Sequence, residues 1–288
     1  MEEGFCPRSG HTAVRLGDSV LSVGGYDGAQ RFSDVWLLDE EGTAKRVACS
    51  GAPFRGRAGH CMVAGEKAGE SLVALGYDSG DNLLGDTMTL RVDDKGEAGE
   101  WEMLSSGGPA RRWAACGRVA KGGMLIYGGW SESGPLNDCS LFDEVRRTWS
   151  PPLKIVGELP SPRRWAACDM VGGRLIIQGG YDGKTLGDAF AIDIVAGKSQ
   201  KLPWQLARAR HTLCGGKIIG GFDANGVVQR QVFFADETAA LQRADESPFG
   251  CERAGHSAVV MENGSIALLA GFVGGAKKYL SSDLFIFK

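Results

Sequence analysis

Histidine is scarce in this chain: only His11, His60, His211 and His256 occur in 288 residues. All four stand at one recurring position, described below, so none is left over for a metal centre or a general base. The eight cysteines include no C-x-x-C pair, which argues against a zinc ribbon or a thioredoxin-like dithiol. No apolar run approaches the roughly 20 residues that a membrane-spanning helix needs. The opening MEEGFCPRSG has neither a basic nor an apolar stretch. No secretory signal is therefore expected there, and reduced thiols in the cytosol or nucleus are. An excess of positive charge is missing too. With 32 Lys and Arg against 35 Asp and Glu, the net charge is −3, and there is no whole-chain case for binding nucleic acid. No segment carries a helical period.

Glycine, by contrast, is abundant: 44 residues, about twice the usual share, scattered through apolar stretches. The hexapeptide RRWAAC occurs at Arg111–Cys116 and again at Arg163–Cys168. With its first Arg as a marker, related segments begin at Arg8 (RSGHTA), Arg57 (RAGHCM), Arg208 (RARHTL) and Arg253 (RAGHSA). Successive markers lie 49, 54, 52, 45 and 45 residues apart. After each marker an apolar run ends in glycine and an aromatic: Tyr26, Tyr77, Trp130, Tyr181, Phe222 and Phe272. A third β-prone run follows, such as SDVWLLD or GDAFAID, and then a weaker fourth.

Four strands repeated six times at this period predict an all-β, six-bladed propeller. The approximate blades are 7–53, 54–109, 110–160, 161–206, 207–250 and 251–288 with 1–6, in a single domain. The R-x-G-H segment, the glycine doublet and the following aromatic together resemble the kelch repeat over essentially the whole chain. The first strand of each blade is expected nearest the axis, where space is short. That explains the small residues Ala13, Gly59, Ala114, Cys116, Ala166, Cys168, Cys214 and Ala258. The last blade has sequence for only three strands. It is expected either to stay three-stranded or to take a short strand from Glu2–Cys6. The thiols are expected free, with a Cys6–Cys251 bridge across the closure as the alternative.

Strands alternate in direction, so the loop entering the first strand and the loop leaving the second share one face. That mouth is expected to collect the markers Arg8, Arg57, Arg111, Arg163, Arg208 and Arg253 with the six aromatics. A structural alternative pairs each marker with the loop carboxylate after the aromatic: Asp27, Asp78, Asp182 or Asp223. Blade three has Ser131 at that place and blade six Val273. Asp34, Asp86, Asp138, Asp188 and Asp283, before the third strands, are dispersed rather than paired and are read as loop stabilisers. Extra cations, namely Arg112, Arg164, Arg210, Arg230, Lys277 and Lys278, concentrate on blades three to six. The segments RRW and RAR depart from R-x-G-H.

The resemblance implies a function. Kelch-type substrate receptors of ubiquitin ligases use these loops to grip acidic or carboxylate-bearing peptides. By that resemblance Arg8, Ser9 and the tyrosines after the glycine doublets, such as Tyr26 and Tyr181, match those positions best. With the other mouth-loop residues and the extra cations, the expected binding residues are Arg8, Ser9, Tyr26, Arg57, Tyr77, Arg111, Arg112, Trp130, Arg163, Arg164, Tyr181, Arg208, Arg210, Phe222 and Arg253. No catalytic residue, metal ligand or cofactor is expected. The expectation is a monomeric, cytosolic or nuclear interaction module for a partner with acidic residues or a free C-terminal carboxylate. The alternative is an enzyme acting on a small sugar-acid-like molecule in the same pocket. The Glu, Asp and His pattern of iron-dependent specifier proteins is absent: Pro7, Gly56, Ala207 and Glu252 stand four residues before the histidines.

Overall fold

The computed structural model describes residues 4–120, 122–237, 239–244, 252–274 and 279–287. Among these residues there is no helix, and the strands form six sheets. The first blade is ordered Thr12–Leu16, Ser19–Val23, Val35–Leu38 and Ala44–Arg46, each strand antiparallel to the last. The other blades repeat that order, the sixth through its first three strands. Their leading strands are Cys61–Ala64, Ala115–Arg118, Ala167–Val171, Thr212–Cys214 and Ser257–Val260. These six strands contact one another in a closed cycle around the axis, as expected for a propeller.

The second and third strands of a blade are sandwiched by neighbouring blades and bury both faces. Their sequences are therefore continuous apolar runs rather than alternating ones. Leu72, Val73 and Ala74 are consecutive and fully buried. The outer strand Ala98–Ser105 begins by alternating exposed and buried residues. Six apolar clusters result, one in each interface between adjacent blades. Two blades gain a fifth strand that the sequence does not announce. Ala48–Gly51 runs parallel to Ala98–Ser105, and Val156–Gly157 parallel to Lys198–Leu202. In both cases the linker from the preceding blade covers an exposed sheet edge.

Closure is carried by backbone hydrogen bonds that repeat around the ring. The N–H of the glycine before each aromatic donates to the carbonyl of the next blade's marker arginine. The donors Gly25, Gly76, Gly129, Gly180 and Gly221 do so at 2.7–2.9 Å, and Gly271 closes the cycle onto Arg8 at 2.9 Å. A side chain at Gly76 would meet the Ala58 carbonyl and His60 Cβ at 2.9 Å, which is why glycine is needed there. Among the described residues the last blade has three long strands, Ser257–Val260, Ile266–Val273 and Tyr279–Phe287, and the two-residue strand Arg253–Ala254 pairs with the end of Ile266–Val273; none takes the outer fourth place. Gly4–Pro7 form no strand, and the rest of the expected Glu2–Cys6 segment lies outside the described residues. Phe5 nevertheless packs edge-on against Trp36 at 6.0 Å, in the cluster between the sixth and first blades.

Candidate functional site

The marker arginines turn inward. Arg8, Arg57, Arg163 and Arg253 are at most 1% exposed. Arg57 donates to both oxygens of Asp86 at 2.6 and 2.7 Å, to the Leu75 carbonyl at 3.0 Å and to the Arg55 carbonyl at 3.2 Å. Arg8 with Asp34, Arg111 with Asp138 and Arg163 with Asp188 repeat the fork, and Arg253 bonds Asp283 at 2.9 Å. This corrects two expectations. The carboxylates that pair with the markers are those before the third strands. Asp27, Asp78, Asp182 and Asp223 instead accept backbone N–H groups within their own loops. The markers Arg8, Arg57, Arg111, Arg163 and Arg253 therefore spend their donors inside the blade and do not line the mouth. Arg208 is also buried, but Gln231 replaces the aspartate and accepts its bond at 2.7 Å. Burial lowers the Arg208 pKa, with Asp223 opposing.

The histidines are equally interior. His60 Nε2 lies 2.6 Å from the Thr12 hydroxyl, and His256 Nε2 lies 2.9 Å from that of Thr212. Burial, followed by the neighbouring Arg8, holds His11 near a pKa of about 3. Burial does the same to His211, next to Arg208, and to His256, next to Arg253. All four are neutral imidazoles at neutral pH.

A different set forms the mouth. The residue two places after each marker, Gly10, Gly59, Trp113, Trp165, Arg210 and Gly255, belongs to a second closed ring. Each N–H donates to the carbonyl of its neighbour at 2.7–3.3 Å. All six adopt the left-handed conformation, with φ between 55° and 64°. Glycine does so freely, whereas Trp113, Trp165 and Arg210 each cost about 1–2 kcal/mol there. Leu75 and Ala270 hold the same conformation inside the core, whereas these three line the axial cavity. Gly59 makes room for the first of them, since a Cβ there would sit 2.4 Å from Trp113 Cδ1. Beneath the ring lies an axial cavity of about 280 Å³, lined by the ring residues, the four histidines, Cys116 and Cys168.

Arginines and aromatics alternate across this mouth. Arg112 stacks on Trp113 at 4.3 Å and Tyr77 at 4.6 Å. Arg164 lies 4.0 Å from Trp165, 4.3 Å from Trp130 and 5.4 Å from Tyr181. Arg210 covers the Trp165 ring at 4.0 Å. Stacking fixes the guanidinium planes and leaves their N–H edges for a planar anion. Among the described residues, none of these three arginines has a carboxylate within ion-pairing distance. The Nε atoms of Arg112 and Arg164 are buried with no protein partner. The cations also repel each other. Burial first, then Arg112, lowers the Arg164 pKa. Burial first, with Tyr77 opposing and Arg164 adding to it, lowers that of Arg210 to about 10. On blades one and two the charge is answered: Arg31 pairs with Asp81 at 2.5 Å while stacking on Tyr77 at 4.3 Å.

Of the expected residues, the structure brings together Arg112, Trp130, Arg164, Tyr181, Arg210 and Tyr77. Ser9 is buried, and its backbone bridges that of Tyr26. Phe222 packs against Phe272 at 6.4 Å, and Phe272 in turn lies 5.7 Å from the Arg210 guanidinium, at the blade-five end of the trio. Lys277 and Lys278 lie outside the described residues. Trp113 and Trp165 escaped the sequence reading, although each stands where the repeat pattern has glycine.

The sequence profile of the KLHDC2/KLHL20/DRC7 Kelch-repeats domain matches residues 10–215. Adagio protein 3 of Arabidopsis thaliana is 27% identical over 260 residues, 78% of this chain and 40% of that protein. Acyl-CoA-binding domain-containing protein 4 of the same plant is 28% identical over 187 residues, 63% of this chain and 27% of its own length. An F-box/kelch-repeat protein, also of Arabidopsis thaliana, is 26% identical over 196 residues, 61% of this chain and 40% of that protein. The chain thus spans less than half the length of each of these relatives.

Proposed function

The chain belongs to the kelch-repeat family, and from that premise we propose that it binds an acidic protein segment, or a free C-terminal carboxylate, on the arginine-rich half of its mouth. Kelch propellers generally serve as protein-interaction modules rather than enzymes. The observation that carries the finer reading is the trio Arg112, Arg164 and Arg210, stacked on tryptophans and lacking carboxylates. Holding three like charges together costs free energy through mutual repulsion and desolvation, and an incoming carboxylate offsets that cost. Each charge-assisted bond to it contributes roughly 1.5–3 kcal/mol. The pairing of Arg31 with Asp81 turns the other half of the mouth away from anions and gives the site a direction. The module acts as a monomer in the cytosol or nucleus and performs no chemistry on its ligand.

The test is fluorescence anisotropy with labelled Glu-rich peptides, each as the free acid and as the C-terminal amide. Replacing Arg112 and Arg164 together with alanine is expected to weaken the best peptide at least tenfold, for which about 1.4 kcal/mol suffices. Tighter binding of the free acid would assign the carboxylate end as the grip. Equal binding of acid and amide would assign the acidic side chains. Undiminished binding by a well-folded double variant would refute the site.

A further inference from the structure

The leading strands of blades two, three and four bring three thiols side by side. Cys61 is buried, while Cys116 and Cys168 are half-buried in the wall of the axial cavity. They are not equivalent. The Cys168 sulfur accepts the Cys116 N–H at 3.2 Å and lies 3.1 Å from the Cys116 carbonyl, an arrangement that keeps it a thiol. Cys61 and Cys116 reach across the interface between blades two and three. The Cys61 sulfur lies 3.8 Å from the Ala114 carbonyl, and that of Cys116 lies 3.8 Å from the Met62 carbonyl. Each thiol thus points at the backbone of the other's strand.

We infer that Cys116 is a hydroperoxide-reactive thiol and Cys61 its resolving partner, so that oxidation joins blades two and three through a Cys61–Cys116 disulfide. Cys116 opens onto the cavity, whereas Cys61 is buried behind it, and this access distinguishes nucleophile from resolver. The neighbouring Cys61 thiol, ahead of the opposing effect of burial, lowers the Cys116 pKa, in keeping with that order. In the first step the Cys116 thiolate sulfur attacks one oxygen of hydrogen peroxide. The O–O bond breaks, hydroxide leaves and takes a proton, and Cys116 becomes a sulfenic acid. The Cys61 sulfur then attacks the sulfenic sulfur: the S–S bond forms, the S–O bond breaks and water departs with the Cys61 proton. The two thiols together lose two electrons and two protons, and the peroxide becomes two waters. The oxidant reaches Cys116 from the cavity. This pair is independent of what the mouth binds.

The experiment treats the intact protein with one equivalent of hydrogen peroxide, alkylates the remaining thiols and maps tryptic peptides. The expected product links peptide 58–67 to peptide 113–118, in at least tenfold excess over any other cross-link. C61S should block it and leave a sulfenic acid on Cys116 that dimedone traps, and C116S should leave Cys61 reduced. The wild-type map stands as a test even where a variant folds poorly. Oxidation confined to the exposed Cys49 or to Cys6, with peptides 58–67 and 113–118 fully alkylated, would overturn the proposal. A link from 113–118 to 165–174 would overturn Cys61 as the resolving thiol.

Discussion

Replacing Asp86 with asparagine changes one oxygen for an amide and almost no volume, yet it should be among the most damaging conservative substitutions in this protein. Arg57 is fully buried, and its side chain ends on both Asp86 oxygens at 2.6 and 2.7 Å. Asparagine can accept from only one guanidinium N–H, and its NH₂ opposes the other donor. An arginine charge is then left in the interior with a neutral partner. Breaking a buried pair in this way costs about 3–5 kcal/mol, although the intact pair is worth far less against an apolar substitute. Because Asp86 keeps some exposure, its side chain being 15% accessible, the lower end, about 3 kcal/mol, is the better expectation. For a chain of this size that lowers the melting temperature by roughly 6–12 °C. Urea unfolding at unchanged m should show the same loss. The repeat also supplies the converse experiment. Blade five already carries a neutral partner, Gln231, for Arg208. Gln231→Asp should stabilise by about 1 kcal/mol, the difference between a neutral and a charge-assisted bond. A loss below about 1 kcal/mol for Asp86→Asn, typical of an exposed ion pair, would refute the idea that these forks hold the blades together.

Three further outcomes can be measured directly. Trp113→Gly restores the residue that the repeat favours and removes left-handed strain, so the melting temperature should change by only a few degrees while acidic-peptide affinity falls at least tenfold; a collapse of stability with affinity intact would reverse the assignment. Raising salt from 50 to 500 mM should weaken peptide binding severalfold, because the Debye length shrinks below the spacing of exposed charges; salt-independent binding would exclude an electrostatic grip. Acid should unfold the protein early. His11, His211 and His256 have folded pKa values of about 3 against an ordinary 6.5, so the unfolded chain binds more protons throughout that window and stability falls as pH drops below 6.5. At pH 5 each histidine withdraws roughly 2 kcal/mol, and tryptophan fluorescence unchanged down to pH 3.5 would contradict their burial as neutral imidazoles.

The architecture is written in the sequence because a propeller states its constraints six times. A glycine doublet in one blade could mean a turn of any kind. Glycine followed by an aromatic 14 to 20 residues after an arginine, six times over, could serve only a repeating geometry. The same redundancy misleads about the site. Arg8, Arg57, Arg111, Arg163 and Arg253 recur because each performs the same internal pairing, and recurrence made them look like a collected rim. Their true partners, Asp34 to Asp283, lie 25–30 residues away across two strands. No local pattern announces a contact of that range. The parallel strands Ala48–Gly51 and Val156–Gly157 were hidden for a related reason: they belong to linkers of irregular length, outside the repeated unit.

What a symmetric scaffold uses for function must break its symmetry, since six equivalent loops present six equivalent surfaces. The informative positions are therefore those where the register is kept and the residue is not. Trp113, Trp165 and Arg210 satisfy this condition under the most demanding circumstances, holding a backbone angle that suits glycine and keeping the ring of hydrogen bonds unbroken. Gln231 meets it in the opposite sense, by withholding a carboxylate from Arg208 beside the same half of the mouth. Each departure costs stability, and all four add aromatic surface or uncompensated positive charge to blades three to five. Leu75 and Ala270 also stand where other blades have glycine and keep its left-handed backbone, but both are buried in the core. Trp113, Trp165 and Arg210 instead line the axial cavity, and that is the ground for placing the proposed contact on their arc.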